Sequence, residues 1–192
     1  MPLVKIGEKT ARAMFHPCDV DYIREVCNGR CCRSSDGSTH ISVTPDQEAG
    51  LEKYGVTING NHQIDAKDRC PLQSEEGLCK IHFTADMPRG CIFSPFRIHP
   101  TADTLIIKWR NRSLICYKTK EGKQPAYKAH NFSLVTLFGA EEAARITKHF
   151  DVGGGDIIAD MLPERYEDMR GVGNILSKRF DEQKPKQTRL GE

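Results

Sequence analysis

Cys27-Asn28-Gly29-Arg30-Cys31-Cys32 is the stretch on which the reading of this chain turns. Three residues separate the first thiol from the second and the third follows at once, so the sulfurs meet on one ion only if the backbone reverses sharply between them. Asn28-Gly29 supplies that reversal, because both residue types suit a tight turn. A short helix upstream delivers the first thiol: Asp19 is a better N-cap than Cys18, and Val20, Ile23 and Val26 or Cys27 recur at helical spacing. Working outward, Cys70, Cys79 and Cys91 each lie beside a turn residue or a proline, in Cys70-Pro71, Gly77-Leu78-Cys79 and Pro88-Arg89-Gly90-Cys91. These six sulfurs are offered to one site or to two.

The chain has 192 residues with 38% hydrophobic content, enough for one domain with an appendage but only a modest core. Modest cores are reinforced by crosslinks or by metal, and eight cysteines offer either route. Residues 1–15 lack the apolar run and cleavage site of a secretory signal, and no segment spans a membrane as an apolar helix. The expectation is a cytoplasmic protein, whose clustered thiols stay reduced and mean metal rather than disulfides. A net charge of +2 is too small to argue for nucleic acid. The basic tail from Lys178 to Arg189 is expected to be flexible and solvated, with too few aromatics to stack on single strands.

Along the chain, residues 1–17 read as irregular. Ile41-Ser42-Val43 reads as a short strand, and Thr44-Pro45-Asp46-Gln47 as a helix start with cap, proline and capping box, running to about Tyr54 and stopping at Gly55. Residues 56–68 read as polar, with a turn at Asn59-Gly60-Asn61. The segment from Cys70 to Cys91 has little periodicity and needs a crosslink to fold. Thr104–Trp109 and Ser113–Tyr117, flanking Arg110-Asn111-Arg112, read as a β-hairpin with Cys116 as apolar filler in its second strand. Lys118–His130 reads as a charged linker. Beyond it Leu134, Leu137, Phe138, Ile146 and Phe150 suggest helices, and Asp156 reads as the cap of a short helix, Ile157 to Leu162, that Pro163 ends. Gly153-Gly154-Gly155 lacks the lysine and hydroxyl residue of a phosphate loop. His16, His40, His62, His99, His130 and His149 show no ligand spacing among themselves.

With both cysteine segments in view, the chain resembles the YkgJ-like, or CxxCxxCC, family of zinc- or iron-chelating cysteine-cluster proteins. The resemblance rests on Cys31-Cys32-Arg33, Ile41-Ser42-Val43-Thr44-Pro45-Asp46, Cys70-Pro71-Leu72, Gly77-Leu78-Cys79-Lys80-Ile81-His82, and Pro88-Arg89-Gly90-Cys91 with Phe93 and Pro95. It covers about residues 18 to 97. The chain departs from the family pattern at Arg24 and Asn28, where cysteine is usual, at His82, where tyrosine is usual, and at Met87 in place of arginine. Cys18 is the substitute for the missing thiol.

The resemblance implies metal chelation, by zinc or by iron. The expected ligands are Cys27, Cys31, Cys32, Cys70, Cys79 and Cys91, with Cys18 and His82 in reserve. A closed four-thiolate zinc site is structural, and an iron–sulfur cluster takes the same four donors. Six sulfurs exceed one such site, leaving either a spare pair or two zinc ions sharing sulfurs through Cys31-Cys32. Flagellin lysine methylases carry a similar signature, so an iron–sulfur-dependent methyl transfer from S-adenosylmethionine to a protein competes, without a clear glycine-rich nucleotide motif in the first 130 residues. A zinc-held interaction module is the third reading. The expected fold is α+β: a small, loop-rich, metal-stabilised cysteine-cluster domain over residues 1–125 with short helices and a β-hairpin. A helical region over residues 126–192 follows and packs on that domain or on a protein partner.

Overall fold

The computed structural model describes residues 1–33, 39–66, 68–82 and 84–170. In chain order its regular elements begin with β1 (Leu3–Ile6), α1 (Glu8–Ala11), β2 (Met14–Phe15), α2 (Val20–Tyr22), β3 (Thr39–Ser42), α3 (Pro45–Glu52), β4 (Ile58–Asn59) and β5 (Gln63–Ala66). They continue with α4 (Arg89–Ile92), β6 (Phe96–Ile98), β7 (Thr104–Ile107), α5 (Ile115–Lys118), β8 (Gln124–Pro125), α6 (Ala126–Ala129), α7 (Asn131–Phe138), α8 (Ala140–Asp151) and β9 (Ile157–Asp160). Short helices and small sheets are mixed along the chain, in keeping with the expected α+β class.

The largest sheet has the order β6-β7-β1-β9. Its inner strand β1 lies in the segment expected to be irregular. Val4 and Ile6 face the core while Leu3 and Lys5 face out, an alternation too short to read in sequence. β1 runs parallel to β7, pairing Ile6 with Leu105, and antiparallel to β9, pairing Val4 with Ala159. β9 corrects the expected helix at Ile157 to Leu162. Ile157 and Ala159 are buried and alternate with exposed Ile158 and Asp160, the period of a strand. Asp156 does not cap a helix there: it ion-pairs with Lys5 at 2.8 Å and accepts the Glu8 N–H at 2.8 Å. Pro163 opens a helical run, residues 163–170, rather than closing one, as proline at a first helical position does.

The expected hairpin of Thr104–Trp109 with Ser113–Tyr117 also needs correction. β7 pairs antiparallel with the preceding β6, Phe96 with Ile107 and Ile98 with Leu105. Trp109–Ser113 is a 3-10 turn, and the second expected strand is a single helical turn, α5, that buries Cys116. Leu114 to Tyr117 has β-propensity, but packing overrides it.

A second sheet, β3-β5-β4, stands apart. β3 and the helix start at Thr44 follow expectation: the Thr44 N–H donates to Gln47 Oε1 at 3.4 Å, α3 ends at Glu52, and Gly55 takes the left-handed conformation with φ +71°. β4 and β5 were not foreseen, although their turn at Asn59-Gly60-Asn61 was. Ile64 pairs with Ile41 on one side and Ile58 on the other, closing a small apolar face.

Two hydrophobic cores result. The first gathers Val4, Phe15, Leu105, Leu134, Ile146, Phe150 and Met161. It takes residues from both sides of position 125, so α6, α7 and α8 pack on the large sheet. Lys118–His130 contributes β8, which pairs with β2. The second core holds Ile41, Val43, Leu51, Ile64, Leu72 and Ile81. The cysteines lie along the seam between the two. The tail from Lys178 to Arg189 falls outside the described residues.

Candidate metal centre

Asp19 caps the helix before the first thiol, its Oδ1 accepting the Tyr22 N–H at 2.8 Å. After α2 the helix widens into a π turn, Ile23–Cys27, closed by the Asn28 N–H donating to the Ile23 carbonyl at 2.6 Å. Widened turns of this kind gather at functional sites. Asn28 (φ 47°) and Gly29 (φ 58°) are both left-handed, so the chain doubles back as read from the sequence. A 3-10 turn, Arg30–Cys32, then sets Cys31 Sγ 3.8 Å from Cys32 Sγ. That separation equals the edge of a sulfur tetrahedron around an ion with bonds of about 2.3 Å.

The knuckle is sewn to the second cysteine segment by main chain. The Cys70 N–H donates to the Cys32 carbonyl at 2.9 Å, and Arg33 pairs with Arg69 in an isolated bridge. Gln73 is the stitch at the other end. It is 3% exposed, its Nε2 donates to the carbonyls of Gly29 (3.0 Å) and Gly77 (2.9 Å), and its Oε1 accepts from Arg33 Nε (3.3 Å). The approach leaves no room for side chains: a Cβ on Gly29 would meet Gln73 Nε2 at 1.9 Å, and one on Gly77 would meet Asn28 Oδ1 at 2.6 Å. Gln73 also bridges to Cys79.

From the other direction, Cys91 sits on α4, whose Gly90 carbonyl accepts from Lys108 Nζ at 2.9 Å. Arg110 donates to the carbonyls of Arg33 (2.6 Å) and Cys31 (3.4 Å). The His16 N–H donates to the Cys116 carbonyl at 2.8 Å, which draws the Cys18 segment beside α5.

Electrostatics centres this arrangement on Cys31. A hydrogen bond with the Cys32 thiol, helped by the Arg110 charge, brings the Cys31 thiol down to about 7, and the same bond holds the proton on Cys32. Burial is the leading cause that raises the thiols of Cys18, Cys27, Cys70, Cys79, Cys91 and Cys116, with Cys18, Cys91 and Cys116 pushed up to about 12. The Cys31 charge adds to the rise in each of them and in Cys32. Burial also pushes the Lys108 amine down to about 8, against the pull of Cys91.

The electrostatic reach of Cys31 thus extends to the other five expected thiols and to two others. Cys18, in reserve, feels Cys31, Cys116 and Cys27. Cys116 is buried as filler would be, 8% exposed, yet it lies within range of Cys27 and Cys31. Nothing in its local sequence signals this, because it follows the last cysteine segment by a long, ordinary stretch. His82 is held near Cys79 through its backbone N–H, which donates to the Cys79 carbonyl at 3.3 Å, and burial lowers its imidazole. Three other histidines are engaged elsewhere: His16 stacks on Tyr22 with ring centroids 3.6 Å apart, His62 pairs with Glu48, and His149 meets the Gly155 carbonyl.

Among the described residues no three His, Cys, Asp or Glu side chains already stand in a metal-holding arrangement. Apart from the Cys31–Cys32 pair, the thiols share electrostatic range rather than coordination spacing. Their chemistry fits a soft ion or cluster: the donors are sulfurs, and Lys108 and Arg110 beside them offset the negative charge that thiolates bring. An open cleft of about 470 Å³ lies next to α4, lined by Asp46, Gln47, Asp86, Arg89, Phe93 and Arg165 among others. No described helix is long and apolar enough to cross a membrane. No protein-family model matches the chain, and no curated protein or solved structure does either.

Proposed function

We propose that this chain is a metal-binding protein, holding zinc or an iron–sulfur cluster through Cys27, Cys31, Cys32, Cys70, Cys79 and Cys91. What carries the reading is the seam itself. Two cysteine segments far apart in sequence are stitched face to face through Cys32, Cys70 and Gln73, with the Cys31 and Cys32 sulfurs 3.8 Å apart where they meet. A segment as poor in periodicity as residues 70–91 gains little from its own propensity, and a bound ion supplies the folding energy it lacks. Zinc would supply a crosslink without redox chemistry, and an iron–sulfur cluster would supply electron transfer. Cys31 is the thiol readiest to lose its proton, and Lys108 and Arg110 compensate the charge the thiolates build up. The reading requires a reducing compartment such as the cytoplasm, and it leaves the exposed faces of α7 and α8 for a protein partner.

The test is anaerobic purification of the full chain followed by elemental analysis and an absorption spectrum. Stoichiometric zinc in a colourless protein, or iron with the broad visible absorption of an iron–sulfur cluster, is the expected result. A chain that folds fully without either metal overturns the proposal. A second reading is a protein methyltransferase resembling flagellin lysine methylases, for which the open cleft lined by Arg89, Ile92 and Phe93 is the candidate pocket. Calorimetric binding of S-adenosylmethionine and transfer of its methyl group to a protein would support that enzyme, and failure to bind would remove it.

A further inference from the structure

Leu105 and Ile107 of β7 are buried in alternation, a pattern that would carry residue 109 inward as well. The chain breaks from it instead. The Lys108 N–H donates to the Pro95 carbonyl at 2.8 Å, the Lys108 amine turns to the Gly90 carbonyl and Ser94 Oγ, and Trp109–Ser113 winds into the 3-10 turn. Trp109 is thereby put in solvent. At 80% it is the most exposed large apolar side chain among the described residues, and it is the chain's only tryptophan. Tryptophan is enriched where surfaces bind a partner, and there it carries a large share of the contact energy.

The same turn is basic. Side chains three apart eclipse one another in a 3-10 turn, so Arg112 lies on the face that Trp109 occupies. Arg110 reaches to the Arg33 and Cys31 carbonyls and so sets the turn against the knuckle, which carries the exposed Arg30. The turn is fixed from within: the Ser113 hydroxyl donates to the Arg110 carbonyl at 2.7 Å, and the Asn111 N–H to the Lys108 carbonyl at 3.0 Å. Among the described residues no carboxylate pairs with Arg30, Arg110 or Arg112, whereas Arg24, just before the knuckle, takes Glu76 at 2.8 Å. The net charge of +2 is a sum over the whole chain and conceals this local excess.

We propose that the Trp109–Ser113 turn and the adjoining knuckle form a docking surface for single-stranded nucleic acid, one base stacking on the Trp109 ring and the neighbouring phosphates held by Arg30, Arg110 and Arg112. This goes beyond the metal-binding reading and uses none of the thiols. Every base offers a π face to an exposed tryptophan, and guanidinium groups without carboxylates suit the phosphates beside it. An acidic polypeptide would use the cations but leave the indole without a flat partner, and a paired duplex hides the base faces that the ring needs. Compensation of the thiolate charge accounts for Arg110, but not for Arg112 or for an indole held in water.

The test is a titration of the purified full chain with an oligothymidylate of about twelve nucleotides, long enough to cover one such surface. The readout is tryptophan fluorescence, to which Trp109 alone contributes. Stacking should quench the emission, and log affinity should fall linearly with log salt. Trp109→Ala, followed by the anisotropy of a fluorescein-labelled strand, should bind about tenfold more weakly, with Trp109→Phe restoring part of the loss. Arg112→Gln and Arg30→Gln should each reduce the salt slope by about 0.7. All three positions are exposed, so the variants should keep the fold and the metal content of the wild type, and loss of strand binding is then distinct from loss of the metal centre. Unquenched fluorescence at low salt, strand binding that Trp109→Ala leaves intact, or equal quenching by polyglutamate overturns the proposal.

Discussion

Gln73 holds more of the site together than any thiol does. Its amide satisfies the carbonyls of Gly29 and Gly77 inside the fold, so Gln73→Ala leaves buried acceptors unpaired. Each such group costs about 1–3 kcal/mol, and the variant should lose about 2–3 kcal/mol of stability in chemical denaturation together with most of its bound metal. Gly29→Ala should be at least as damaging, because the added methyl collides with Gln73 and φ is +58°. His130 tests a different part of the fold. It packs edge-on against Phe15 and Phe96, and burial pushes its imidazole down to about 4 from an ordinary 6.5. Below pH 6.5 the unfolded chain therefore takes up a proton that the folded chain refuses until about pH 4. Stability is complete above pH 6.5 and falls as pH drops through that window, by about 3 kcal/mol at most. His130→Leu should flatten the dependence, as denaturation midpoints measured from pH 7 to pH 4 will show.

At the scale of elements, the contrast between what sequence revealed and what it hid is one of range. The Asp19 cap, the Asn28-Gly29 reversal and the helix start at Thr44 are local devices, each fixed by residues within one turn, and all were legible. β1 and β9 were not, because each is four residues long and its buried pair has meaning only against a strand from the other end of the chain. The misplaced hairpin has the same origin: β7 was found, but its partner β6 lies before it, hidden in the apolar run that leaves Cys91. Cys116 is buried in the first core as filler would be, and its electrostatic range to Cys27 was not legible because the fold, not spacing, creates it. α4 offers a prediction of its own. Arg89 forks between Asp168, at 2.7 Å, and Asp46, at 2.8 Å, tying the helical run 163–170 to α3 and to the cysteine segment. Asp168 is only 14% exposed and would keep only Arg165, at 3.3 Å, so Arg89→Ala weakens the pairing of a half-buried carboxylate and should cost about 1–2 kcal/mol, measurable by thermal unfolding.

For the whole molecule, two modest cores meet along a line of thiols, and a metal at that line would join them into one cooperative unit. This predicts a proton linkage of definite sign. Burial and mutual repulsion raise all the thiols except Cys31, so at neutral pH most are protonated before metal binds. Coordination must expel those protons, and affinity should strengthen steadily from pH 6 to pH 9, with proton release detectable calorimetrically in buffers of different ionisation enthalpy. Chelation should correspondingly loosen both cores rather than one. The most direct test of the central claim is X-ray absorption at the metal edge of the anaerobically purified full chain. A first shell made only of sulfur, at about 2.3 Å, is the predicted result. A shell dominated by nitrogen or oxygen, or a folded protein with no metal to measure, would contradict it.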